Sequence, residues 1–511
     1  MSSPSSSIFQ QHQADDSQFL THPSLIFLLI TLFSAWMLNK YVFTKHHPSK
    51  KLPPSPPKLP VIGNLHQLGV LTHRSLQSLG AKHGPIMLLH FGRKPVIVVQ
   101  SADAATQIIK NHDLIFSDKP HNAAIRRLLY DLKDIVTAPY GEYWRRLKSI
   151  CILQLFSRKR VESFEFIREE ETALLLKEIE SSCTSSCSPV NLSRLFDLHA
   201  NNVICRAATG RRYSGKRLPA LLRELFKLMG AFEIGEFVPW LSWISSVNGF
   251  NKRVDEVSKE LDEFLEIVVQ DHLDGCLEST HAMAGNTQSF VDILLKASID
   301  RDGIKAVILD MLAGGTDTTS ATLEWAMSEL LRHPVAMTTL QREVGGILKN
   351  KRHITEDDLS RMQYLKAVIK ETLRLHPPIQ LLGRVARQDI TVMGYEIRAG
   401  TLVVTNLWAI SRDPASWDQP DKFHPDRFLD SPLDFKGLHS KFMPFGYGRR
   451  GCPGTVLAMA SVELVLASLV HKFEWKLPVG TECEDLDVME QPGVTLRRKH
   501  PILVVPTHCH L

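Results

Sequence analysis

A chain of 511 residues with a formal net charge of +5 and 44% hydrophobic residues carries enough apolar material for a large core. The slight positive balance, without a basic stripe interleaved with aromatics, excludes nucleic acid as a partner. The eight cysteines are scattered, and Cys183 and Cys187 of "SSCTSSCSPV" have no His or Cys at zinc-binding spacing. Neither a zinc module nor a disulfide framework is expected.

In chain order, the first strong signal is a run of 23 residues without formal charge between Asp16 and Lys40, including "PSLIFLLITLFSAWML". As a helix this run is about 34 Å long, enough to cross a hydrocarbon core of about 30 Å. No Lys or Arg precedes it, whereas Lys40, Lys45, Lys50 and Lys51 follow, which leaves the bulk of the chain on the cytoplasmic side. Residues 1–18 therefore read as a lumenal tail and 19–43 as a transmembrane anchor. A cleaved signal peptide fits less well, for want of a basic n-region and a small-x-small cleavage site. Residues 44–60 read as a basic, proline-rich hinge stiffened by Pro53, Pro54, Pro56, Pro57 and Pro60. No comparable break follows, so 61–511 reads as one large domain.

Within it, "IMLLHFG" and "KPVIVVQ" predict a hairpin, "ITVMGYEIRAGTLVVTN" a second strand pair, and "VTLRRKHPILVVP" a further strand. "FIREEETALLLKEIESS" and "NKRVDEVSKELDEFLEIVVQDHL" have apolar spacings of three and four and predict amphipathic helices. "GEFVPWLSWI" is an apolar connector, read as core in preference to a contact with a bilayer surface. "LDMLAGGTDTTSATLEWAMSELLRHP" is an apolar helix with a polar centre, where each mid-helix glycine costs about 1 kcal/mol relative to Ala. In "KETLR", Glu371 and Arg374 share a helical face. The balance is mainly α with minor β.

The stretch "FMPFGYGRRGCPG" precedes another apolar run. Pro453 fits the first position of a helix there, placing Cys452 at its N-terminus, where the dipole and free amides favour a thiolate. Gly446, Gly448, Gly451 and Gly454 let the backbone approach something flat and bulky. Arg449 and Arg450 add fixed positive charge suited to carboxylates. Together these features describe a proximal thiolate site for haem iron. Taken alone, Cys452 reads more simply as a buried structural thiol.

Phe445, Gly448, Arg450, Cys452 and Gly454 match the pattern F-x-x-G-x-R-x-C-x-G, and at this point the sequence resembles the cytochrome P450 family of haem-thiolate monooxygenases. Other motifs occur in the family's order, so the resemblance covers the chain beyond the anchor and implies a cytochrome P450 fold with a single catalytic domain over 61–511. "AGGTDTT", "KETLRLHPP" and "PFGYGRRGCPG", with the anchor and hinge, resemble the plant A-type microsomal group. "APYGEYWRRLKSIC" and "FVPWLSWI" resemble its largest specialised-metabolism branch.

The resemblance implies haem b with Cys452 as axial ligand, and Phe445, Gly446 and Arg450 against the cofactor. It implies that Trp144 of "PYGEYWRRLKSI" holds a propionate, with Lys148 where the family usually has Arg; lysine can pair but lacks the bidentate fork. Arg384 would hold a propionate too, while Gln380 and Gly383 stand where plant relatives usually carry proline. Asp317 and Thr318 would be the acid and alcohol of a proton relay. Glu371, Arg374 and Arg427 of "PDRF" would form a structural lock bracing the Cys452 loop.

O₂ is the implied co-substrate. No G-x-G-x-x-G fingerprint is present, so NADPH would be used indirectly, through an NADPH–cytochrome P450 reductase docking on the Cys452 side, with cytochrome b5 as a second donor. The implied setting is the endoplasmic reticulum membrane, crossed once, with the catalytic domain in the cytosol. The implied substrate is a small lipophilic plant metabolite, a terpenoid or alkaloid, with phenylpropanoids in range. Two alternatives stay open: a dehydratase or rearrangement enzyme, for instance on oximes, and a non-enzymatic haem-binding membrane protein.

Overall fold

The computed structural model describes residues 27, 28, 30–36, 51–184, 189–213, 217–231, 233–274, 288–349, 351, 354–435, 439–480 and 482–508. Of the expected anchor, residues 27, 28 and 30–36 are helical with exposed apolar side chains; the rest of 19–43 and the whole tail lie outside the described residues. The second half of the expected hinge is not a free spacer. The Lys51 carbonyl accepts from the Glu396 N–H at 3.0 Å, and the Pro54 carbonyl from the Leu88 N–H at 2.8 Å. The Asn64 side-chain amide also donates to the Pro57 carbonyl. Proline carbonyls remain acceptors although the ring removes the donor, so this proline-rich segment docks along the domain.

The elements that position the site are, in chain order, α1 (Thr72–His83), β1 (Ile86–Phe91), β2 (Lys94–Val99), α2 (Glu142–Ile150), α3 (Glu165–Thr184), α4 (Leu192–Thr209), α5 (Arg217–Gly230), α6 (Phe250–Leu273), α7 (Arg301–Arg332), α8 (Pro334–Leu348), α9 (Gln363–Leu375), β3 (Leu381–Val385), β4 (Ile390–Val392), β5 (Tyr395–Ile397), β6 (Leu402–Asn406), α10 (Thr455–Lys472), β7 (Phe473–Lys476) and β8 (Leu503–His508). The two charge-interleaved runs are α3 and α6, as their periodicity predicts.

β1 and β2 form the predicted hairpin, Ile86 opposite Val99 and Phe91 opposite Lys94. The second predicted pair divides. β4 pairs with β5, but β6 leaves them to run parallel to β2 and antiparallel to β3, giving the sheet order β1-β2-β6-β3. The buried run Val96–Val99 explains this, because a strand covered on both faces and flanked on one edge by β1 needs a second neighbour. β8 pairs with β7 and with Val190–Asn191.

α7 runs through the middle of the domain with most of its length buried, and Asp300 caps its start by accepting from the Gly303 N–H. α10 packs beside it. Among the described residues α10 is the helix long and apolar enough to cross a membrane, yet most of it is buried as core. The connector "GEFVPWLSWI" corrects the core reading. Only Val238 is buried there, while Trp240 and Trp243 are 57% and 58% exposed.

Candidate active site

The loop before α10 is shaped by backbone that only a few residues tolerate. Gly446 and Gly448 have φ of +70° and +66°, a region where a Cβ is strained. At Gly448 a Cβ would also lie 2.5 Å from the Asp113 carboxylate, which accepts from the Arg449 side chain at 2.7 Å. Arg449 is thus tied outward and Arg450 turned inward. The Cys452 N–H donates to the Phe445 carbonyl at 2.9 Å, which closes the loop.

α10 begins at Thr455 with Gly454 as its N-cap, so Pro453 is not its first residue and Cys452 lies just outside the helix. The Gly454 N–H and the Thr455 hydroxyl lie close enough to favour the ionised sulfur, although the hydroxyl donates to the Cys452 carbonyl at 3.2 Å. Cys452 is exposed to a cavity rather than to bulk water, because protein surrounds the sulfur on its other sides. Burial outweighs the amide and the nearby Lys148 and pushes the thiol up. The helix end alone therefore does not make a thiolate here; a metal cation at the sulfur would reverse the sign.

The cavity measures about 430 Å³ and is walled mainly by apolar side chains, with Phe445, Gly446, Arg450, Trp144, Lys148, Gly314 and Thr318 among its lining. Three of the predicted carboxylate holders already have partners. The Trp144 indole donates to the Ile135 carbonyl at 2.9 Å, and the Arg450 guanidinium lies 4.2 Å over its ring. Arg450 donates to the carbonyls of Ser117 at 2.7 Å and Ala138 at 2.5 Å. Lys148 donates to the Gly451 carbonyl at 2.6 Å, so the substitution of lysine for the usual arginine ties α2 to the residue beside Cys452.

Arg384 is different. It is 3% exposed, and the only hydrogen bond of its guanidinium among the described residues is a long one to the neighbouring Gly383 carbonyl. Burial, then the field of Arg450, lowers its pKa to about 10. Beside it is Lys119, which sequence reasoning missed. Burial, then Arg384 and Arg450, hold Lys119 well below the usual lysine range, and it lines the cavity. The signal for it was one basic residue after the apolar "LIFS" run, too common a pattern to stand out. Lys119 and Arg384 thus share a buried field of like charge with no carboxylate bonded to either among the described residues.

α7 splits its glycines and its relay pair. A Cβ at Gly315 would meet Ile204 of α4 at 2.8 Å, so this glycine serves helix packing, whereas a Cβ at Gly314 would meet open space. Thr318 faces the cavity and donates to the Gly314 carbonyl at 2.5 Å. Asp317 does not face it: neighbouring positions on a helix differ by about 100°. Its buried carboxylate accepts from Arg497 at 2.7 Å, and Arg497 also donates to Asp197 at 2.6 Å and Ser320 at 3.2 Å. Arg223 completes this network by donating to Asp197 at 2.7 Å. The predicted acid and alcohol are adjacent in sequence but are not brought together.

Glu371, Arg374 and Arg427 do come together. Arg374 grips Glu371 through two bonds of 2.7 and 2.9 Å with both side chains fully buried, and Arg427 donates to Glu371 at 3.0 Å. The remaining Arg374 donors reach the carbonyls of Ser411, Pro420 and Lys422, tying α9 to the loop that carries Arg427.

Comparison with known proteins agrees with this geometry. The family model described as Cytochrome P450 matches residues 53–505. The chain is 49% identical to Cytochrome P450 736A117 of Prunus mume, over 97% of this chain and 98% of that one. It is 45% identical to the tabersonine/lochnericine 19-hydroxylase of Catharanthus roseus, over 94% and 97% of the two chains. It is also 45% identical to the (+)-menthofuran synthase of Mentha piperita, over 94% and 99%. With a cysteine loop abutting a central helix across an apolar cavity, and matches of this extent, the chain belongs to the cytochrome P450 family and is a monooxygenase of the plant type.

Proposed function

We propose that this protein is anchored in the endoplasmic reticulum membrane by residues 19–43 and oxidises a small lipophilic plant metabolite, a terpenoid or an alkaloid, with electrons passed from NADPH by cytochrome P450 reductase. The observation that carries the reading is the sulfur of Cys452 opening onto an apolar cavity beside the basic side chains of Lys119 and Arg384, neither bonded to a carboxylate among the described residues. Relatives named for a tabersonine/lochnericine hydroxylation and for menthofuran synthesis support the substrate classes.

Haem fits the residues present. Cys452 would hold its iron through sulfur, Arg384 and Lys119 would neutralise its propionates, and Phe445 and Gly446 would pack against it, with Arg450, Trp144 and Lys148 fixing the surrounding backbone. When bound, the group activates O₂ for oxidation of a C–H bond, helped by the electron-rich thiolate. The chain's own part is to exclude water with the apolar wall and to present a proton from the Thr318 hydroxyl, the polar group of α7 beside open space at Gly314. For Asp317 to supply that hydroxyl, its carboxylate would have to leave Arg497, which joins it to Asp197 and Arg223, the solvent-reaching end of the network.

The test is the ferrous–CO spectrum of the full-length protein. The wild type should show the red-shifted Soret band of thiolate ligation and Cys452→Ala should lose it; an unchanged band in the variant removes the ligand assignment. Thr318→Ala should keep the band but divert most reducing equivalents to hydrogen peroxide, measured against NADPH consumed. Full coupling in that variant would place the proton route elsewhere.

A further inference from the structure

The wall of the cavity carries one carboxyl among the described residues, that of Asp310 on α7, one turn before Gly314. Its Oδ2 accepts from the N–H groups of Ile135 at 2.8 Å and Val136 at 3.3 Å, in the segment that covers α7. Among the described residues no Lys, Arg or His bonds to it, and Oδ1 takes no hydrogen bond. The adjoining cavity wall is apolar, formed by Ile135, Val136, Leu309 and Ala313.

The same segment carries a second carboxyl, Asp134, fully buried and satisfied by Thr137, whose N–H donates to it at 2.7 Å. Burial, then the field of Asp134, pushes the Asp310 carboxyl well up. Its apolar surroundings, the neighbouring Asp134 carboxyl and the lack of a bonded cation among the described residues all favour the neutral acid at Asp310. Two backbone donors already occupy Oδ2, so the proton belongs on Oδ1. A hydroxyl on an apolar wall without an acceptor is unfavourable, and a ligand oxygen is the partner that the protein does not provide.

We propose that Asp310 is a substrate-recognition residue, donating a hydrogen bond from its carboxyl to a ketone, ether or hydroxyl oxygen of a lipophilic ligand in the cavity. This rests on the cavity being the substrate site of the function proposed above. It assigns the ligand one oxygen near the α7 wall on an otherwise apolar frame. A second role of Asp310, fixing the Ile135–Val136 backbone, follows from the same geometry, so the test must separate recognition from support.

The full-length haem-loaded enzyme is titrated with three probes of one carbon skeleton, limonene, carvone and carvylamine, and affinity is read from the Soret shift on binding. Wild type should prefer carvone to limonene by about tenfold, the size of one buried hydrogen bond. Asp310→Asn, which keeps both an acceptor for the backbone and a donor for the ligand, should retain that ratio. Asp310→Leu should lose it while limonene affinity stays within about twofold. If Asp310→Leu gives no haem protein, Asp310→Asn decides, and a tenfold fall in its ratio overturns the proposal. So does an unchanged ratio in Asp310→Leu, or carvylamine binding tightest in wild type and losing its advantage in Asp310→Asn, which would mark an anionic amine receptor. If wild type shows the red-shifted ferrous–CO band but no preference for carvone, this inference fails and the proposed function stands. If the band itself is absent, both fail.

Discussion

Two groups of buried charge, both within the same domain, are built in opposite ways. In the Glu371–Arg374–Arg427 lock each charge meets its opposite and the remaining donors reach backbone carbonyls. Beside the cavity, Lys119 and Arg384 stand in each other's field and that of Arg450, with no bonded acid among the described residues. A buried ion is tolerated when paired and costly when alone. The first group is complete within the protein. The second has no bonded acid among the described residues, and under the proposed function an anionic ligand would complete it.

The contrast can be broken at several points. The largest effect is expected from Glu371→Ala, which leaves Arg374 uncompensated at full burial and should cost about 3–5 kcal/mol. Most of the protein should then fail to accumulate as the haem-bound form, measured by the ferrous–CO band per mass of protein. A variant of wild-type yield would show that the lock is dispensable.

An acid outside the cavity lining gives the next effect. Glu463 on α10 is raised to about 7, by burial first and with Glu356 adding to it against Lys366. From the ordinary carboxyl value of 4.5 up to about 7 the folded state holds the extra proton, so this group's contribution to stability falls as pH rises through that window. Glu463→Gln should accordingly stabilise the protein at pH 8 by up to about 3 kcal/mol, with the gain shrinking towards pH 5.5. Thermal unfolding at the two pH values measures it, and equal gains at both would refute the assignment.

The smallest effect sharpens the comparison most. Lys119→Met removes an unpaired cation, so it should leave expression near wild type while speeding loss of haem to an apomyoglobin acceptor by about tenfold, the value of one charge-assisted contact. A destabilised protein with an unchanged rate of haem loss would place Lys119 with the lock instead.

How much of this could be read beforehand depended on distance along the chain. The β1–β2 hairpin, the α3 and α6 periodicities and the Cys452 loop were legible because a few neighbouring residues determine them. The pairing of β6 with β2 was not, since "TLVVTN" carries the same alternation whichever strand it joins. Trp240 and Trp243 were misjudged because apolarity reports what a residue prefers, not what covers it. Gly314 and Gly315 look alike in sequence, and only Ile204, more than a hundred positions away, distinguishes packing from open space.

By itself, then, the sequence determined the chemistry: a cysteine in a glycine-rich loop ahead of an apolar helix, an E-x-x-R pair, and a central helix with a polar interruption. These are short-range patterns, set by backbone torsions and helical spacing. The tertiary structure alone decided which charges are satisfied. It turned Asp317 towards Arg497 and away from Thr318, left Lys119 and Arg384 without a bonded acid among the described residues, and set Asp310 on an apolar wall. Electrostatic partnership falls off over a few ångströms of space whatever the separation in sequence, so it exists only once the chain has packed.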